Sequence, residues 1–214
     1  MYVNRSWYWR KPVAVLAGGV AWLIATQAYS QQQVVEIEEH WELAIGEPDA
    51  PMSAPQATLV MSPNGNLEGQ YFLVTINHRN VPDYAPGGVQ VQLWNDDAPV
   101  AVESFGASTL DQTNDTIRWV QRLHVQDGTL SFQVVDGSSL AWGGFGGESL
   151  SLSTPTELTS LNGYRPAISI GESQVGYAGN RVQHLTLTKL VWRTADGESH
   201  ELHAPIDIDA DLDP

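Results

Sequence analysis

The chain has 214 residues, with ten Lys and Arg against 25 Asp and Glu, six His and no Cys, for a formal net charge of -15. So negative a surface repels phosphate backbones and argues against a nucleic-acid partner. The lack of cysteine rules out disulfide frameworks, thiol nucleophiles and thiolate metal sites.

Residues 1–30 read as an export signal. Arg5, Arg10 and Lys11 are the only charges there, an apolar run follows from Val13 to Ala25, and Ala28-Tyr29-Ser30 supplies small residues ahead of a cut before Gln31. The run is short for a span of about 20 residues, so the expected product is cleaved and not held in the membrane. Cleavage removes three bases and no acids; seven bases against 25 acids then leave -18. The expected location is outside the cytoplasm: periplasm, cell surface or medium. Residues 31–206 are the length of a single domain.

Period-two alternation dominates that domain. In Val34 to Ile45 the odd positions Val35, Ile37, Trp41, Leu43 and Ile45 are apolar, with Glu39 as the exception in their phase. Glu36, Glu38, His40 and Glu42 form the polar face. Two acids on one face are the apparatus of glycoside hydrolysis; on a strand so near the start they equally suit a charged sheet edge. Ala57 to Met61 and Tyr71 to Ile76 read as a hairpin about Asn64-Gly65. Val89 to Trp94 and Ala98 to Phe105 are the next strands. Ile117 to Val125 and the strand carrying Leu130, Phe132 and Val134 flank the turn Asp127-Gly128.

Thr154-Pro155-Thr156-Glu157 carries a capping-box pattern and predicts one short helix near 155–161. Strands then resume at Ala167 to Ile170, Val182 to Trp192 and Ser199 to His203. In the second of these the apolar phase passes from odd (Leu185, Leu187) to even (Leu190, Trp192), which calls for a bulge. Residues 207–214 read as a solvated acidic tail, since the repeated Asp lacks the Gly and Glu of a calcium loop. The fold class is therefore all-β, an antiparallel two-sheet sandwich of jelly-roll type.

No nucleophile elbow, zinc-protease helix or phosphate loop is present, and no cofactor or metal is implied. Alternation places Gln90, Gln92 and Trp94 together on a polar strand face, where an indole can stack on a sugar ring and amides can bond hydroxyls. Ala141-Trp142-Gly143-Gly144-Phe145-Gly146-Gly147 sets two aromatics, Trp142 and Phe145, on a glycine-rich loop that would either close on a ligand or plug the sandwich end. The expected function is a non-catalytic exported module that binds polysaccharide or another extended ligand. The alternatives are an envelope assembly protein whose first strand pairs with a partner and a secreted hydrolase using Glu36 or Glu38.

Overall fold

The computed structural model describes residues 32–47, 55–77, 87–110, 112–177, 179–203 and 205–208. The export signal expected at 1–30 lies outside them, as do residues 209–214 of the acidic tail. The strands are β1 (Val34–Ile45), β2 (Gln56–Met61), β3 (Gln70–Ile76), β4 (Val89–Asn95), β5 (Ala98–Phe105), β6 (Thr116–Gln126), β7 (Thr129–Ser139), β8 (Gly143–Phe145), β9 (Ser151–Pro155), β10 (Gln174–Tyr177), β11 (Val182–Thr194), β12 (Ser199–Leu202) and β13 (Ile206–Asp207). Among the described residues one α-helix, α1 (Pro166–Glu172), precedes β10.

All pairings are antiparallel and make two sheets. The larger runs β12-β11-β1-β6-β7-β8, with β9 also on β7 and β13 also on β11; the smaller runs β10-β2-β3-β4-β5. The protein is thus an all-β sandwich. In the smaller sheet β2 to β5 follow one another as a meander; in the larger sheet the hairpins β6–β7–β8 and β11–β12 are joined through β1, which pairs on both sides with strands distant in sequence. The alternating apolar residues meet between the sheets: Phe72 of β3 stacks on Phe132 of β7 with ring centroids 5.0 Å apart. Ile37, Trp41, Leu59, Val74, Val91, Trp119 and Leu123 are all buried around that contact, the burial that drives such a fold.

Local signals decide several details. Asp127 (φ 50°) and Gly128 (φ 73°) both adopt the left-handed backbone that a two-residue hairpin turn requires, and Gln126 pairs with Thr129 across them. The phase change in β11 is a bulge: His40 pairs with Lys189 and Trp41 with Leu187, leaving Thr188 unpaired, its hydroxyl donating to the His40 carbonyl at 2.9 Å.

Four expectations are corrected. The helix stands at 166–172 and not at 155–161. Thr154 and Pro155 instead pair with Leu130 and Thr129 as the end of β9, burying Leu152, while Pro166 supplies the preset φ of a first helical turn where Ala167 to Ile170 reads as a strand. The β2–β3 hairpin closes through residues 62–69, not through a tight Asn-Gly turn; the loop is braced by Ser62 Oγ donating to the Asn66 carbonyl and the Glu68 amide donating to Asn66 Oδ1. The glycine-rich segment is not a free loop: Gly143–Phe145 pair with β7, and the turn before them is pinned by the buried Asp115 carboxylate, which accepts the amides of Leu140 and Ala141 at 2.8 and 3.1 Å. Asp207, finally, is paired in β13 with Thr186 and accepts the Leu185 amide at 3.3 Å, so the acidic tail begins inside the sheet.

Candidate functional site

Strand β4 buries Val89, Val91 and Leu93 and turns Gln90, Gln92 and Trp94 to the outer face of the smaller sheet, all three half-buried. These side chains form a hydrogen-bonded line along the strand. Trp94 Nε1 donates to Gln92 Oε1 at 2.9 Å, Gln92 Nε2 to Gln90 Oε1 at 2.7 Å, and Gln90 Nε2 to Ser104 Oγ at 3.4 Å. Each bond fixes an amide rotamer, so the row is ordered in advance of any ligand.

Register extends the row sideways. Trp94 lies opposite Tyr71, their rings stacked at 6.1 Å with 19° between planes. Tyr71 donates its hydroxyl to the Asp96 carbonyl at 2.9 Å; its pKa is raised by burial and then by the charges of Asp97 and Asp96. Beyond Gln90 a complete rung crosses five strands: Gln174, Thr58, Thr75, Gln90 and Ser104 are successive cross-strand partners, with the hydroxyls of Thr58 and Thr75 3.4 Å apart. Sequence reading finds β4 but misses Tyr71 and this rung. Pairing register was the missing information, and it depends on a 62–69 loop whose closure is not encoded by a turn motif.

Trp142 and Phe145 do not join this site. Val89 of β4 pairs with Phe105, whereas Asn95 pairs with Ala98. Phe145 stacks on Phe105 at 6.1 Å, so the Trp142–Phe145 pair lies at the opposite end of β4 from Trp94, about 17 Å along a strand rising about 3.3 Å per residue. Phe145 is buried against Gly137, where an added Cβ would fall 2.3 Å from its ring, and Trp142 Nε1 donates to the Ser108 carbonyl at 2.7 Å. Together they plug one end of the sandwich.

The polar face of β1 is an ion-pair lattice. Arg122 contacts Glu38 at 2.7 Å and Glu36 at 3.7 Å, Arg193 contacts Glu36 at 2.7 Å, and Arg118 and His184 contact Glu42 at 2.6 and 2.9 Å. The His184 hydrogen bond, then Arg118, holds the Glu42 carboxyl below the usual range. Glu36 and Glu38 therefore stand neutralised on an open sheet face. A cleft of about 320 Å³ lies elsewhere, between the 62–69 loop and Thr156, Glu157 and Leu158. Nor is β1 an edge: it is paired on both sides, with β6 and β11, and has no free backbone for strand addition. One of the two edge strands of the smaller sheet, β5, exposes Val100 and Val102, yet it carries Pro99, a bulge at Val100 and Glu103, features that discourage edge pairing.

Inside the larger sheet, Glu39 is fully buried with its carboxylate met by three donors: Tyr164 Oη at 2.5 Å, Gln121 Nε2 at 2.7 Å and Trp41 Nε1 at 2.9 Å. Ser169 of α1, also fully buried, faces the same carboxylate. Trp119 Nε1 donates to Gln121 Oε1 at 3.2 Å, and the two indoles stack at 6.3 Å. Burial pushes the Glu39 carboxyl up, opposed by these hydrogen bonds. The signal was legible, since Glu39 is the acidic member of the apolar phase of β1. Through Tyr164 and Ser169 it ties the 156–165 segment and α1 to the sheet, away from the cleft at residues 63–70 and 156–158. Among the described residues no group of three or more His, Asp or Glu side chains is placed to hold a metal ion.

No protein-family model matches this chain, and no curated protein matches it in sequence.

Proposed function

We propose that this chain is an exported, non-catalytic binding module that holds an extended polysaccharide on the outer face of its five-stranded sheet. The observation that carries the reading is the aligned series Trp94, Gln92 and Gln90, with Tyr71 backing the indole. An aromatic ring presents an apolar face to the C–H face of a pyranose, and flanking amides offer both donors and acceptors to its hydroxyls. A row of side chains along one strand suits an extended ligand, and an amide row fixed by internal bonds lowers the entropy lost on binding. Trp142 and Phe145 have no part in it, nor do Glu36 and Glu38.

Pull-down on insoluble polysaccharides, with the purified chain, tests the reading. Retention is expected on at least one of them, and Trp94→Ala, with unchanged circular dichroism, is expected to weaken it at least about tenfold, or about 1.4 kcal/mol. Absence of retention on every glycan, or retention indifferent to Trp94→Ala, removes the reading.

A further inference from the structure

The two outer faces of this sandwich differ in kind. That of the larger sheet carries Glu36, Glu38, His40 and Glu42 on β1, with Arg118, Arg122 and His124 facing them from β6 and Lys189 and Arg193 from β11. On the smaller sheet the outward strand positions are Gln56, Thr58 and Val60 of β2; Tyr71, Leu73 and Thr75 of β3; Gln90, Gln92 and Trp94 of β4; Pro99, Val102 and Ser104 of β5; and Gln174 of β10, with Val60, Tyr71 and Thr75 buried beneath their neighbours. Among these there is no carboxylate, ammonium, guanidinium or imidazole. A chain with 35 Asp, Glu, Lys and Arg residues thus keeps the outward strand positions of one sheet free of charge among the described residues.

Charge on a solvent-facing strand position favours solubility and blocks association, so its complete absence marks a surface adapted to contact. What it contacts follows from what it offers: amides and hydroxyls in register, an indole backed by the buried Tyr71 ring, and nothing among the described residues able to pair with an ion. A carboxylated or sulfated polymer would leave its charges desolvated and unmatched there, a costly arrangement. It would also meet Asp96 and Asp97 at the Trp94 corner, whose charges already act on Tyr71.

We infer that the ligand of this face is an uncharged polysaccharide, recognised by stacking and neutral hydrogen bonds and therefore insensitive to salt. The inference rests on the polysaccharide reading above and names the substrate class for the same site. The discriminating experiment measures binding of the purified chain to three probes: hydroxyethylcellulose, carboxymethylcellulose and protonated chitosan. The uncharged polymer should bind at least about tenfold more tightly than the carboxymethylated one. Its affinity should change less than about twofold between 50 and 500 mM NaCl, since screening acts only on charges. Gln90→Lys should raise binding to carboxymethylcellulose and make that binding fall with salt. A preference for either charged polymer, lost in Trp94→Ala, overturns the neutral-ligand inference and leaves the polysaccharide reading standing. Binding to none of the three, together with no retention on any other glycan, overturns both.

Discussion

Tyr164 and Glu39, 125 residues apart in sequence, share a hydrogen bond of 2.5 Å in the interior of the protein. The bond locks the segment before α1 onto the centre of the larger sheet. Its energetic meaning depends on pH. Burial raises the Glu39 carboxyl above its unfolded value, so the folded state holds the proton more tightly than the unfolded chain. The contribution to stability is complete below the unfolded pKa and is lost as pH rises through the folded one. Glu39→Gln should abolish that part of the pH dependence, flattening the melting temperature above pH 4.5. Glu39→Ala should destabilise by about 3–5 kcal/mol in denaturant titration, because several buried donors lose their acceptor together.

His40 behaves oppositely. Its pKa is lowered, first by burial and then by Lys189, although Glu38 opposes the shift. Its Nε2 is buried without a hydrogen bond and lies 3.9 Å from the Glu38 carboxylate. The unfolded chain therefore takes up a proton before the folded one does, and stability is lost as pH falls from 6.5 through the folded value. Proton NMR should show the His40 ring titrating below 6.5. A titration at or above that value would contradict the packing described.

The Asp127-Gly128 turn demands left-handed backbone at both positions. Gly128→Ala should destabilise by about 1 kcal/mol, and Asp127→Gly by much less, because an aspartate in that conformation is only mildly strained. Chemical denaturation of the two variants checks the difference.

Gly137 meets the Phe145 ring so closely that a Cβ would lie at 2.3 Å. Gly137→Ala should destabilise by about 1–3 kcal/mol through overpacking, and Phe145→Ala by about 3–5 kcal/mol through the cavity it leaves. Neither should alter polysaccharide retention at temperatures where the variant stays folded, which separates the plug from the binding face.

Deletion of Thr188 should be tolerated, whereas deletion of Leu187 should destabilise by about 2–5 kcal/mol. Either deletion absorbs the bulge and keeps Leu190 in phase, but removing Leu187 brings the polar Thr188 into its buried place opposite Trp41. Soluble yield and circular dichroism distinguish the two.

Much of the fold was legible because period two is a strong local signal. The β11 bulge was visible as a phase change from Leu187 to Leu190, and the Asp127-Gly128 turn as a dipeptide. The helix was not, because Thr154-Pro155 satisfies the capping pattern yet lies where β7 needs a partner, and pairing with Leu130 outweighs a local preference. The site was half legible. Gln90, Gln92 and Trp94 share a face by alternation alone, but Tyr71 joins Trp94, and Thr58 and Thr75 join Gln90, only through register between strands. For Trp142 and Phe145 the sequence allows both a closing loop and a plug, because glycine content suggests freedom and the pairing of Gly143–Phe145 with β7 is not encoded locally.

The position of β1 has a consequence for how the molecule is made. The first strand is completed on one side by a segment about 80 residues downstream and on the other by one about 150 residues downstream, contacts whose long loops make closure slow. As the polypeptide is synthesised, this strand waits for its last neighbour until residue 194 has emerged, so the larger sheet cannot close until both distant partners have been made. Until then its buried positions, Trp41 and Leu43 among them, stay open to water or to other chains.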